Sequence, residues 1–389
     1  METISQSPTD PAFVQDPYPF YERARTMGDL VYWQDYAMPC ATSHKLVSAL
    51  LRDKRMGREP PPGKGPVITE RTRPFYEVEA HSMLAIEPPR HTRLRGLVLR
   101  AFTSRRIAAL EPEIEALCHQ LIDAFPHDQP FDLIAAYART IPVVIICRLL
   151  GVPEERGEDL LAWSNAMVAM YQARRTPEIE QEASRATIEF AEFMRSYVAE
   201  KRHHPADDLI THLIAAEQDG ERLSTDELIT TAILLLNAGH EATVHTIGNG
   251  AKALIEAGTP PITPACVEEV IRFDPPLHLF TRWIYEEVEI AGHRFAPGDE
   301  VGCLLAAANR DPLAYPDPAR FDPARTGPAN TSFGAGIHFC VGAPLARLEL
   351  DVAFRILFAR CPDLRLAESP HFANLYHFHG LERLMVETG

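Results

Sequence analysis

A mainly α-helical fold with small β-sheets is what this sequence predicts. Apolar residues recur with a 3.6-residue period over most of the chain, strand-like runs are few and short, and no linker divides the 389 residues. In chain order, Leu30 to Trp33 reads as a short strand. Helical periodicity then covers Ser104 to Phe125, Arg139 to Leu150, Glu158 to Gln172, Glu178 to Arg202 and Ser224 to Ile255. His278 to Ile284, Val288 to Ile290 and Arg383 to Val386 close the series as strands. The Pro-rich stretches Glu59 to Pro66 and Asp311 to Pro328 are flanked by apolar segments, so they read as ordered surface loops within one domain spanning 1–389.

Composition narrows the function. With 46% hydrophobic residues the chain can bury a large core, and a formal charge of −16 argues against general nucleic-acid binding, which needs a basic surface. Met1 to Pro19 is polar and resembles neither a signal peptide nor an anchor. Apolar runs such as Ala232 to Leu236 fall far short of the ~20 residues a membrane span requires. A soluble, cytoplasmic, monomeric protein is expected. The 7 cysteines are odd in number, widely spaced and without a C-x-x-C pair, which argues against zinc and disulfide frameworks.

Ser224 to Ile255 is the most informative helix. A capping box of Ser224 and Glu227 and a staple of Leu223 and Leu228 fix its start. Apolar side chains on most of its faces place it through the protein's centre. Its middle reads Ala238-Gly239-His240-Glu241-Ala242-Thr243. A buried carboxylate costs several kcal/mol, of order 3 or more, unless paired, so Glu241 must be paired, protonated or facing water. Gly239 leaves a notch for a small molecule, into which Glu241 would feed protons.

Near the C-terminus, Phe333-Gly334-Ala335-Gly336-Ile337-His338-Phe339-Cys340-Val341-Gly342 sets one cysteine in a glycine-rich turn before a helical run, Ala343 to Phe358. Gly334, Gly336 and Gly342 permit a nest of N–H groups aimed at the sulfur, and the helix adds its positive end. Both effects favour the thiolate, the form that ligates metal. A dinucleotide loop is excluded, because its third glycine would fall at Phe339 and no βαβ unit follows.

This run resembles the cysteine-ligand loop of the cytochrome P-450 family, the haem-thiolate monooxygenases. The resemblance extends over nearly the full length and implies a single triangular-prism fold around a buried haem b, iron protoporphyrin IX, with Cys340 as axial ligand. Phe333, Gly334, Gly342, Ala238 and Gly239 would line the haem. His91 and Arg95, one helical turn apart after Pro88-Pro89, together with Arg282 and His338, match the family's propionate donors. Glu269 and Arg272, followed by Pro318-Ala319-Arg320-Phe321, look like the buried Glu-Arg-Arg network, with Arg320 as third member, that holds the loop before Cys340. Distal-pocket positions would be Met83, Leu84, Met167, Met170, Tyr171, Leu235, Ala238, Ala242, Leu277, Phe280 and Phe378, an apolar site of modest size.

One departure stands out. The family's alcohol follows the acid directly, and here that position is Ala242, with Thr243 one residue on. Successive helical residues point about 100° apart, so Thr243 does not simply replace it. Water or a substrate hydroxyl substituting, His240 or Thr243 contributing after helix distortion, and peroxide as oxidant are the alternatives. The implied reaction inserts one oxygen atom of O2 into a C–H bond of a small, largely apolar molecule, with Glu241 as proton donor. Electrons would come from a ferredoxin and its NAD(P)H-dependent reductase, docking on the arginines between Arg90 and Arg106. A peroxide-driven peroxygenase and a non-catalytic haem-thiolate sensor are the other readings.

Overall fold

Residues 1–126, 129–172, 175–218 and 220–388 are described by the computed structural model. The helical elements that build the site are α1 (Arg90–Ala101), α2 (Glu111–Asp123), α3 (Thr140–Leu150), α4 (Gly157–Val168), α5 (Pro177–His203), α6 (Thr225–Glu256), α7 (Pro264–Phe273) and α8 (Ala343–Arg360). Among the described residues, no helix is long and apolar enough to cross a membrane.

α6 is the axis of the molecule, packed by α3, α4, α5, α7 and α8. Its N-terminus closes as the sequence requires: Glu227 N donates to Ser224 Oγ at 3.1 Å, and Ser224 N donates back to the Glu227 carboxylate at 2.9 Å. Two of the helix's orphan N–H groups are thereby satisfied. The helix runs without interruption through Gly239 to Glu256.

Two helical expectations divide. Ser104 to Phe125 is two helices, Ser104–Ala108 and α2, because Pro112 lies in the first turn of α2 and cannot continue a preceding helix. Likewise, Glu158 to Gln172 is α4 followed by a 3₁₀ turn, Ala169–Tyr171. The expected strand Arg383 to Val386 also separates, into Leu381–Arg383 and Met385–Glu387, which pair with different neighbours. Between them Leu384 N donates to Asp132 Oδ1 at 2.9 Å, out of register with either ladder.

A six-stranded sheet flanks the helices. Its strands are β1 (Glu2–Ile4), β2 (Leu30–Trp33), β3 (Met38–Ala41), β4 (Met56–Gly57), β5 (Leu279–Ile284) and β6 (Glu300–Leu304), in the order β1-β2-β3-β6-β5-β4. β5 carries Phe280 and Arg282 into the interior, opposite Cys303 and Val301 of β6.

Glu269 and Arg272, a turn apart on α7, form a buried pair with two bonds of 2.7 Å. Arg272 also donates to Asn309 O at 2.8 Å and Pro318 O at 3.1 Å, and Asp322 N donates to Glu269 Oε1 at 2.8 Å. The third member is Arg325, whose Nε lies 3.2 Å from Glu269 Oε1. Arg320, the residue expected there, points outward, 68% exposed, and among the described residues its side chain meets only Asp322. The turn over 317–325 decides this. Arg325 reaches back beneath it to the carbonyls of Asp317 and Arg320 at 3.0 and 2.7 Å. Asn309 continues the anchorage, accepting from Thr331 N at 2.8 Å and donating to Ser332 Oγ at 2.8 Å, immediately before the Cys340 loop.

Candidate active site

The loop ahead of α8 is shaped by hydrogen bonds and two left-handed glycines. Gly334 N donates to Thr331 O at 2.8 Å and Cys340 N to Phe333 O at 3.0 Å. Gly334 and Gly336 sit at φ of 68° and 71°, a region costly for residues with a Cβ. At Gly336 a Cβ would also lie 2.6 Å from Leu51 O. Six of the seven cysteines are buried and Cys340 alone is partly accessible. Burial pushes its thiol pKa up, against the N–H groups of Gly342 and Ala343 and the charges of Arg95 and Arg347, which lower it. The N–H groups of Gly342 and Ala343 are thus the ones aimed at the sulfur.

Cations gather beside this loop. Arg95 donates to Phe339 O at 2.6 Å. The rings of His91 and His338 stand 4.3 Å apart, and His338 Nε2 is 2.8 Å from Glu87 Oε1. Burial, with His338 and Arg95 nearby, drops the His91 pKa to about 4, and His91 Nε2 is buried without a partner among the described residues. Among the described residues, Arg282 donates only to Thr281 O, at 2.8 Å. Burial and then Arg282 pull Arg58 down to about 10, an excess of positive charge that an anion would relieve.

Across the site, α6 opens inward. Leu228–Leu236 and Thr246–Ala251 are buried, but Ala238 between them is exposed and Gly239, Glu241 and Ala242 are half-buried. Exposure at the middle of a core helix marks a hollow inside the protein. Thr243 is turned away from a free role: its hydroxyl donates to Gly239 O at 3.1 Å, within its own helix. Thr246 does the same to Ala242 O at 2.7 Å. Glu241 lies between two imidazoles, 3.5 Å from His240 Nε2 and 3.6 Å from His245 Nε2. Burial raises the Glu241 pKa, but the two histidines outweigh it and hold the carboxyl at about 2. Glu241 is therefore a carboxylate here, and acts as donor only after taking a proton.

The two sides are linked electrostatically: burial and the Arg58 charge lower the His377 pKa to about 4, and Glu241 opposes them.

Residues 259–362 match the family model described as Cytochrome P450. Cytochrome P450 107B1 of Saccharopolyspora erythraea is 37% identical over 98% of this chain and 97% of its own length. The chain belongs to the cytochrome P450 family. The same organism's 6-deoxyerythronolide B hydroxylase is 40% identical over 74% of this chain and 72% of its own. Among solved structures, P450BioI in complex with hexadec-9Z-enoic acid ligated acyl carrier protein matches with a TM-score of 0.91 at 29% identity, covering 97% of this chain and 100% of that one.

This P450 is thus a monooxygenase that binds haem through a cysteine thiolate and acts on a small molecule with O2. Its residues fit the group: a partly accessible cysteine in an N–H nest, an orphaned His91 Nε2, arginines in mutual repulsion and an inward-facing stretch of small residues.

Of the expected pocket residues, Met83, Met167, Met170 and Leu235 are buried in the main apolar core, with Leu84 packed against it. Leu277, Phe280 and Phe378 are half-buried, and Tyr171 is 42% exposed. Phe280 lies under Arg58, whose Cζ is 5.5 Å from its ring centroid.

Sequence reasoning missed Arg58, Glu79, Glu87, His245, Arg325 and Glu349. Most are brought in by long-range packing with no local signal. Glu349 had one: it falls one turn from Leu345 and from Ala353 on the apolar face of α8. Burial pushes its carboxyl up to about 8, so it is neutral.

Proposed function

We propose that this P450 inserts one oxygen atom of O2 into a C–H bond of a small, largely apolar substrate, using electrons from a separate ferredoxin and its NAD(P)H-dependent reductase. Cys340 would ligate the haem iron through its sulfur. His91, Arg95, Arg282 and His338, joined by Arg58, would hold the propionates. When bound, the haem supplies O2 activation, which thiolate ligation favours. The carrying observation is Glu241, an ionised acid fixed between two histidines at the opened middle of α6. A sensor needs no proton-handling group there, whereas oxygen insertion does.

The substrate reading is supported by Ala238, Ala242, Leu277, Phe280 and Phe378, which present small and apolar surface. Tyr171, Glu79, Arg58 and His377 add a polar edge that would orient the substrate. Two relatives are named vitamin D(3) 25-hydroxylase and 6-deoxyerythronolide B hydroxylase, which favours hydroxylation. For the electron donor, the arginine cluster narrows. Arg93 pairs with Glu221 and Glu227, and Arg106 with Asp207, leaving Arg100 and Arg105 exposed and without ion pairs among the described residues. Arg100 shares α1 with Arg95, which holds the Cys340 loop, so an acidic donor docked there is on the cysteine side.

A peroxide-driven reaction is the second reading, favoured by Ala242 and by the capture of the Thr243 hydroxyl within α6. The experiment is the ferrous carbonyl spectrum, followed by turnover with a surrogate ferredoxin system and, separately, with peroxide. A red-shifted Soret band and faster product formation with ferredoxin are expected. An unshifted band overturns Cys340 ligation, and product from peroxide alone selects the second reading.

A further inference from the structure

We propose that His240 is a positioning residue that stores one proton for Glu241, the two side chains sharing it between Nε2 and the carboxylate; this rests on the monooxygenase reading above. Hydrogen counting carries it. His240 Nδ1 lies 2.8 Å from Leu236 O, and a carbonyl only accepts, so Nδ1 bears a hydrogen. The other nitrogen, Nε2, has two neighbours at 3.5 Å, Asn165 Oδ1 and Glu241 Oε2. With Nδ1 protonated, a neutral ring turns a lone pair at both oxygens, in a side chain only 5% exposed. One more proton on Nε2 converts both repulsions into attractions. The imidazolium and the carboxylate then cancel, which makes their burial tolerable. Reversing the Asn165 amide would relieve one contact and leave the carboxylate facing the lone pair.

The surroundings agree. The ionisable groups that act on Glu241 are His240 and His245 of its own helix, and His377 of the C-terminal segment senses it; α4 contributes the neutral Asn165. His245 is wedged in place, since a Cβ on Gly380 would lie 1.8 Å from its Nδ1. Transfer from Nε2 to Glu241 leaves a neutral ring, still bonded to Leu236 O, and a neutral carboxylic acid that can release its proton into the hollow. Asn165 is exposed, so the proton is replaced from solvent at that end. The site thus gains a proton source at the position where Ala242 lacks a hydroxyl.

The test is ¹⁵N NMR of histidine-labelled holoenzyme in its diamagnetic ferrous carbonyl form near neutral pH, with His240→Gln giving the assignment. His240 is expected with both ring nitrogens protonated, collapsing to the Nδ1–H form in Glu241→Gln. A singly protonated His240 in the unaltered protein overturns the proposal. In His240→Gln, at unchanged haem content and unchanged substrate-induced spin shift, product formed per NADH should drop by at least ~10-fold; unchanged coupling also overturns it. A doubly protonated His240 in a protein that turns over nothing upholds the stored proton and defeats the functional reading. A singly protonated His240 in an active monooxygenase does the reverse.

Discussion

Arg325 Nε lies 3.2 Å from Glu269 Oε1, closing a buried triad from a position 56 residues away in the chain. Glu269 and Arg272 alone would be a local helix pair. With Arg325, the carbonyls of Asn309 and Pro318 and the amide of Asp322, they fasten the segment that leads into the Cys340 loop.

Glu269→Ala strands the Arg272 charge in a site where both side chains are 3% exposed, so stability should drop by about 3–5 kcal/mol, with loss of haem incorporation. Arg325→Ala should cost about 1–3 kcal/mol. Arg320→Ala, at an exposed pair, should stay within about 0.5 kcal/mol. Urea unfolding and haem content of the three variants check the order. Equal losses from Arg320 and Arg325 would sink the assignment.

Gly336→Ala places a side chain at φ 71° and a carbon 2.6 Å from Leu51 O. Backbone on both sides cannot yield cheaply. A loss of about 1–3 kcal/mol is expected, together with a weakened carbonyl Soret band from a displaced Cys340. Gly63→Ala, whose Cβ meets nothing within 4 Å, is the control for positive φ alone.

Ala242→Thr adds the hydroxyl that α6 lacks. Product formed per NADH consumed should rise, because Thr243 and Thr246 spend their hydroxyls on Gly239 O and Ala242 O. Unchanged coupling would mean that the missing alcohol has no catalytic consequence.

Acid should weaken the fold through His379. Its ring stacks on Phe372 at 3.9 Å, and burial, with His245 and Lys252, lowers its pKa to about 3 from 6.5. The unfolded chain takes up this proton first, so the stabilisation is complete above pH 6.5 and is lost as pH falls towards 3. His379→Gln should remove roughly 1.4 kcal/mol per pH unit from the slope in that window, read by urea titrations.

Arg100→Glu with Arg105→Glu should weaken binding of an acidic ferredoxin by about tenfold at low salt, with the difference fading as ionic strength rises. The carbonyl spectrum should be unaltered. A salt-independent affinity would remove this surface from consideration.

Much of the site was legible because it obeys local rules. The Cys340 turn announces itself through glycines within two to six residues of the sulfur, Ser224 caps α6 through a residue three positions on, and Glu269 meets Arg272 a single turn away. Ala242 is equally local, a missing hydroxyl read directly from the helix. The boundaries of α2 show the limit, where Pro112 outweighed an unbroken apolar period.

By itself, the sequence determined the helix-rich class, the metal-binding turn, the central helix and its acid, since each is set by spacing within a turn or two. Only the tertiary structure decided which distant groups meet them. Glu87 reaches His338 across 251 residues, Arg325 displaces Arg320, and Gly380 closes on His245 of α6 from the last segment of the chain. The physical reason is that burial and Coulomb interactions depend on distance through space, which the order of residues along the chain does not encode.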